Sequence, residues 1–218
     1  MASKTTTKFL WAAVLWLLFI LFTITLTAVD VQPAGPQGSQ IALASLNTWV
    51  FDHAGTSATW DKITDVEALI SFAIAGIFAV IGLVQLIRNK SLKKVSSAII
   101  LLGIFYVLMA GFYIFFEKFV INYRPVLTDG VLEASYPSSH TFVALFIFLS
   151  AMPAVKQLTD KKWVQVLTDI VMIALCVSMV VGRVLSGQHW FTDIVGAVLL
   201  ASSAAMLYDA FLYWWNNR

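Results

Sequence analysis

Residues 136–155, YPSSHTFVALFIFLSAMPAV, pass from a polar mouth into an apolar run with no alternation of polar and apolar positions. The chain as a whole is 60% hydrophobic and 12% charged, with a mean hydropathy of +0.84, which excludes a soluble domain. A helix crossing a bilayer needs roughly 20 mostly apolar residues. Six such runs are legible: Phe9–Ala28, Val66–Ile87, Val95–Phe116, His140–Val155, Trp163–Leu185 and Trp190–Trp215. The fourth is short for a span, and the fifth carries Asp169 near one end. Lipid leaves no partner for an open backbone, and the runs are continuous rather than alternating, so helices are predicted and a barrel is not. The expected fold is an all-α polytopic membrane protein with six transmembrane helices, forming one domain over residues 1–218 without repeats.

Lys4 and Lys8 give the first run the basic leader of a signal peptide. It is long for one and no A-x-A-like site follows, so it reads as a retained helix. The single cysteine, Cys176, allows no disulfide framework and reads as packing.

Basic residues mark cytoplasmic loops. Ten of the fourteen fall on one side of a six-helix zigzag: Lys4, Lys8, Arg88, Lys90, Lys93, Lys94, Lys156, Lys161, Lys162 and Arg218. Both termini are therefore expected in the cytoplasm of a cell-membrane protein. Lys62, Lys118, Arg124 and Arg183 are expected at the outer side. Trp11, Trp163, Trp190, Trp214 and Trp215, near run ends, read as interface anchors. The outer loop of about residues 29–65 places Ala42, Leu46, Trp49 and Val50 at helical spacing, as an interfacial helix would, with His53 a solvated surface residue.

Three outer segments carry the chemistry: EKFVINYRP (117–125), YPSSH (136–140) and GRVLSGQHWFTD (182–193). Ionisable residues at membrane depth are functional candidates, and two arginines, two histidines and an aspartate in one layer are not ordinary loop polarity. His189 and Asp193 are four apart and share a helix face, so the aspartate can fix the imidazole tautomer. Arg124 and Arg183 are forks suited to phosphate oxygens. Ser138, Ser139 and the amides opening the next helix add an anion site. These groups meet the needs of in-line phosphoryl transfer.

The three segments resemble the signature of the type 2 phosphatidic acid phosphatase superfamily, shared with the vanadium haloperoxidases: K-x6-R-P, P-S-G-H and S-R-x5-H-x3-D. Arg124-Pro125, Pro137-Ser138-Ser139-His140 and Arg183-x5-His189-x3-Asp193 match in order and spacing. The resemblance implies a phosphatidic acid phosphatase/haloperoxidase-like helical core. It implies that His189 is a nucleophile forming a phosphohistidine, oriented by Asp193, and that His140 protonates the leaving group and activates water. Arg124, Arg183, Ser138 and Ser139 would hold the phosphate.

The chain departs from that signature at three places. Gly182 stands for the serine, Ser139 for the glycine, and Glu117 for the lysine, with Lys118 one position away and its share in the clamp open.

The implied substrate is a lipid phosphate or pyrophosphate at the outer leaflet, undecaprenyl pyrophosphate first and phosphatidate or phosphatidylglycerophosphate next. No cofactor, metal or nucleic-acid partner is expected; the partners are the lipid substrate and membrane lipids. A zinc hydrolase using His140, His189 and Asp193 is disfavoured because two arginines repel a cation. A non-enzymatic lipid-phosphate binding or transport protein would not need the His189–Asp193 pair beside a second histidine. A haloperoxidase fits a membrane-embedded chain less well than a lipid phosphatase.

Overall fold

The computed structural model describes residues 2–128 and 130–218, and among them it is helical with no strand. The helices are α1 (Ala2–Leu26), α2 (Ala44–Ala54), α3 (Ala58–Asn89), α4 (Ser97–Lys118), α5 (Ser139–Leu158), α6 (Lys162–Ser186) and α7 (Phe191–Asn216). All but α2 are long and apolar enough to cross a membrane, so the predicted six spans are present. They make a multi-pass membrane protein.

The most buried spans, α5 and α7, form the centre. Along α7, Gly196, Ala197, Ala201, Ala204 and Ala205 are small and buried, which lets neighbouring backbones approach. There α1 packs on α7, α3 and α6 pack on α5, and α4 closes over both central helices. Apolar surface gains little by leaving lipid for a helix interface, so shape and polar contacts must hold such a bundle. Lys8 pairs with Asp209 between α1 and α7. At the other end of the same pair, Thr23 shares a 2.7 Å hydrogen bond with the Tyr136 hydroxyl. Tyr136 packs against Gly196, where a Cβ would come within 2.3 Å of its ring.

Three expectations are corrected. The outer loop ends before residue 58, because Ser57 caps α3 by accepting from the Trp60 amide at 3.4 Å and Asp61 sits in its first turn. Asp61, Lys62 and Asp65 are thus helical, not loop, residues. Ala42 precedes α2 and is buried, whereas Leu46 and Trp49 are exposed, so the helix shows an apolar stripe outward while Ala44 and Asn47 face the protein. Trp190 is not an interface anchor: it is buried, and its indole donates to the Tyr123 carbonyl at 2.7 Å. Trp11, Trp163 and Trp215 are exposed as anchors should be.

The crossing of α3 and α6 explains Gly182. A Cβ there would lie 2.6 Å from Thr64 Cγ2 and 3.1 Å from the Trp60 ring. Any side chain, the familiar serine included, would push α3 outward and take Asp61 from Arg183. Gly182→Val should therefore lower stability by about 1–3 kcal/mol, the usual cost of overpacking. Gly111→Ala, where nothing lies within 4 Å of the added carbon, should leave it unchanged or raised. Thermal unfolding in detergent micelles distinguishes the two; equal midpoints for both variants would contradict the close crossing.

Candidate active site

All the predicted site residues lie at the end of the bundle opposite Lys8 and Asp209, where α3, α5 and α7 begin and α4 and α6 end; Lys118, the last residue of α4, is exposed there. The segment 119–138 folds over this end as an irregular hairpin. Tyr123 and Ala134 bridge antiparallel, the Arg124 amide donates to the Glu133 carbonyl at 3.0 Å, and the Ser135 amide donates to the Asn122 carbonyl at 2.9 Å. The start of α7 fixes both arms: Trp190 holds Tyr123, and the Asp193 carbonyl accepts from the Ser138 amide at 3.1 Å.

His189 lies in the tight link between α6 and α7 and is 4% exposed. Its Nδ1 is 3.1 Å from the Ser135 carbonyl, an acceptor, so Nδ1 carries the proton and Nε2 keeps a lone pair. Nε2 is buried and has no hydrogen-bond partner among the described residues. Burial first, and then the positive neighbours Arg183, Arg124 and His140, hold this imidazole well below the ordinary histidine range. At neutral pH the ring is uncharged and Nε2 is available as a nucleophile.

Asp193 plays a different part from the one its spacing suggests. Its carboxylate is 3.8 Å from His189 Nδ1, beyond a hydrogen bond. It accepts instead from the Trp190 amide at 3.0 Å and from Asn122 Nδ2 at 2.8 Å. Asp193 thus shapes the link that carries His189, and the Ser135 carbonyl sets the tautomer. Asn122 is fully buried and also accepts from the Ala42 amide at 3.0 Å, joining α7 to the hairpin and to the outer loop. Asn47 of α2 completes this layer through Thr192, donating to its hydroxyl at 2.8 Å and accepting from its amide at 3.1 Å. Sequence reasoning missed Asn122, Asn47 and Ser135; only Asn122 gave a signal, as a polar residue two positions before Arg124.

Arg183 is 1% exposed. Its Nη1 donates to Asp61 at 2.9 Å and to Thr64 at 3.2 Å, while Nε is buried and unpartnered among the described residues. One edge of the guanidinium is therefore anchored to α3 and the Nε edge is left for an anion. Arg124 Nε lies 3.1 Å from Glu133 across the hairpin. His140, on the first turn of α5, has a buried, unpartnered Nδ1 and an Nε2 3.7 Å from Asp65. Ser138 is fully buried and its hydroxyl bonds Thr141 at 2.9 Å, so its side chain serves the helix start. Ser139 lines the crevice together with His189 and Glu117. Lys118 is exposed and makes no ion pair among the described residues. Those residues hold no group of three His, Cys, Asp or Glu side chains placed for a metal ion.

Beside the site, α3, α4 and α5 leave an apolar groove of about 510 Å³. Phe72, Ala75, Met109 and Val143 line it, and it ends at Ser139 and His140.

The PAP2 superfamily model matches residues 114–218, the part of the chain that holds every one of these motifs. The fold is similar to the crystal structure of a transmembrane PAP2-type phosphatidylglycerolphosphate phosphatase from Bacillus subtilis. The TM-score is 0.66 at 16% identity, over 92% of this chain and 94% of that one. No curated protein matches the chain significantly.

Removing Asn122 leaves the Ala42 amide and one oxygen of Asp193 without partners in a buried layer. Asn122→Ala should therefore lower stability by about 1–3 kcal/mol for each stranded group. Asn122→Asp should be worse, since it sets a second carboxylate against Asp193. Thermal unfolding in micelles checks both, and an unchanged midpoint in either would remove Asn122 from the framework.

Proposed function

We propose that the chain, whose residues 114–218 match the PAP2 superfamily model, is a membrane-embedded lipid phosphatase that works without a metal, through a phosphohistidine on His189. The observation that carries this reading is a group of buried, unpartnered polar atoms at this end of the bundle, among them His189 Nε2, Arg183 Nε and His140 Nδ1. Buried polar atoms are ordinarily paired. These belong to a neutral nucleophile, a cation and an acid–base group, which together fit a tetrahedral anion.

His189 Nε2 attacks phosphorus as the bond to the leaving oxygen breaks, and His140 gives that oxygen a proton. The imidazole gains positive charge in this step, and its Nδ1–H bond to the Ser135 carbonyl stabilises it. His140, now neutral, takes a proton from water, which attacks the phosphohistidine and releases inorganic phosphate. Arg124, Arg183 and the amides at the start of α5 hold the phosphoryl oxygens. Asp193 keeps the link bearing His189 in place.

The apolar groove ending at His140 supports a substrate with a long hydrocarbon chain. The segregation of basic residues supports cytoplasmic termini and a site open to the outer leaflet. A polyprenyl pyrophosphate such as undecaprenyl pyrophosphate is the first substrate to test. Phosphatidate and phosphatidylglycerophosphate form the second reading, favoured by the carboxylates of Asp61 and Glu133 against the two arginines, which leave less positive charge for a diphosphate.

Phosphate release from these lipids should persist in excess EDTA and stop with vanadate. His189→Ala should abolish it, and His140→Ala should slow it by roughly 10²–10⁴, the span of a lost general acid. Substantial turnover by His189→Ala would refute the nucleophile, and loss on chelation with rescue by zinc would refute the metal-free route.

Glu117, not Lys118, lines the crevice beside His189. Lys118→Ala should therefore reduce kcat/KM by less than about tenfold, or ~1.4 kcal/mol. Arg124→Ala, which removes a forked donor, should cost about a hundredfold or more. Equal losses would place Lys118 in the clamp.

A further inference from the structure

One carboxylate at the site has no part in the chemistry above. Asp65 Oδ1 lies 3.7 Å from His140 Nε2 and 3.7 Å from Arg183 Nη1, so a single oxygen stands between the acid–base histidine of α5 and the arginine of α6. A phosphoryl group held at the free Nε edge of Arg183 and by His140 brings its negative charge close to that oxygen.

Asp65 is held quite differently from its neighbour one turn earlier. Asp61 is hydrogen-bonded to Arg183 at 2.9 Å, and Thr64 shares the same Nη1. Asp65 makes neither contact at hydrogen-bond length, and its side chain is 54% exposed. Exposed pairs at such distances are weak and easily broken. Asp61 is therefore the fixed anchor of the guanidinium, whereas Asp65 is free to turn away. Its position also lies on the substrate's way in: Ala68, one turn further along the same face of α3, lines the apolar groove that ends at His140. The rest of the clamp has little positive charge to spare. Arg124 faces Glu133, Arg183 faces Asp61, and Glu117 stands where a lysine is usual.

Building on the phosphatase reading, we propose that Asp65 is a displaceable counter-ion of the phosphate pocket. It offsets the charge of Arg183 beside His140 in the resting enzyme, turns out when a phosphoryl group arrives, and returns to help expel inorganic phosphate. The residue thus lowers the pocket's affinity for the product and prevents a strongly basic cleft from being blocked by free phosphate.

The test uses the full chain in detergent micelles and inorganic phosphate as the probe. Phosphate affinity is measured by calorimetry, and product inhibition by steady-state kinetics, for wild type, Asp65→Asn and Asp65→Glu. Asp65→Asn keeps the shape without the charge and should bind phosphate at least about tenfold more tightly, with the inhibition constant falling in step. Asp65→Glu should stay near wild type. Equal or weaker phosphate binding by a folded Asp65→Asn overturns the proposal; weaker binding would mean that Asp65 helps to hold the anion instead. Phosphate binding by neither wild type nor Asp65→Asn likewise overturns the proposal, whereas the phosphatase reading fails only if wild type releases no phosphate from lipid phosphates, so the two failures are distinct. If Asp65→Asn does not fold, Asp65→Ser carries the same comparison.

Discussion

A guanidinium that is 1% exposed at the end of a membrane helix requires a counter-charge, and at Arg183 this requirement organises the working end of the bundle. Asp61 and Thr64 supply the partners from α3. They reach Arg183 only because Gly182 lets α3 lie against α6 without a Cβ between them. The anchoring uses one nitrogen of the guanidinium and leaves the Nε edge unpaired, which converts a structural need into an anion-binding edge. The loss of the familiar serine at position 182 is then not simply a missing hydroxyl. It accompanies a helix crossing that brings the carboxylates of Asp61 and Asp65 to Arg183.

The proposed nucleophile, His189, is prepared by a similar division of labour. His189 is buried among positive groups, which keeps it neutral, and a backbone carbonyl fixes which nitrogen holds the proton. Asp193, Asn122, Asn47 and Thr192 form a buried layer of polar side chains that holds the link and the hairpin together. Networks of this kind stabilise a site only when every member is paired. Here Asp193, Asn122, Asn47 and Thr192 are paired with one another, while His189 Nε2, His140 Nδ1 and Arg183 Nε are among the buried atoms left without a partner.

Much of this was legible in the sequence, because the bilayer makes apolar length a direct sign of a span and the motif spacing reports residues on shared helix faces. The six spans and the placing of His140, Arg183, His189 and Arg124 at one end of the bundle follow from those two signals. What could not be read depended on contacts between distant segments. Asn122 gains its partners from Ala42 and Asp193, and the Ser135 carbonyl meets His189 only through the folded hairpin. The spacing of His189 and Asp193 correctly put them side by side, but no periodicity distinguishes 3.8 Å from a hydrogen bond. The start of α3 was hidden by its polar first turns, Asp61, Lys62 and Asp65, which resemble a loop by composition yet are placed by the Ser57 cap.

The central claim is that the phosphoryl group passes through His189. Its most direct measurement is a rapid acid-free quench of enzyme mixed with a radiolabelled lipid phosphate, followed by mapping of the labelled peptide. The account predicts an acid-labile, base-stable label on His189, bonded at Nε2, that forms and decays at least as fast as turnover. A label on a serine or carboxylate, or steady turnover with no covalent label in the presence of slowed hydrolysis, would contradict it.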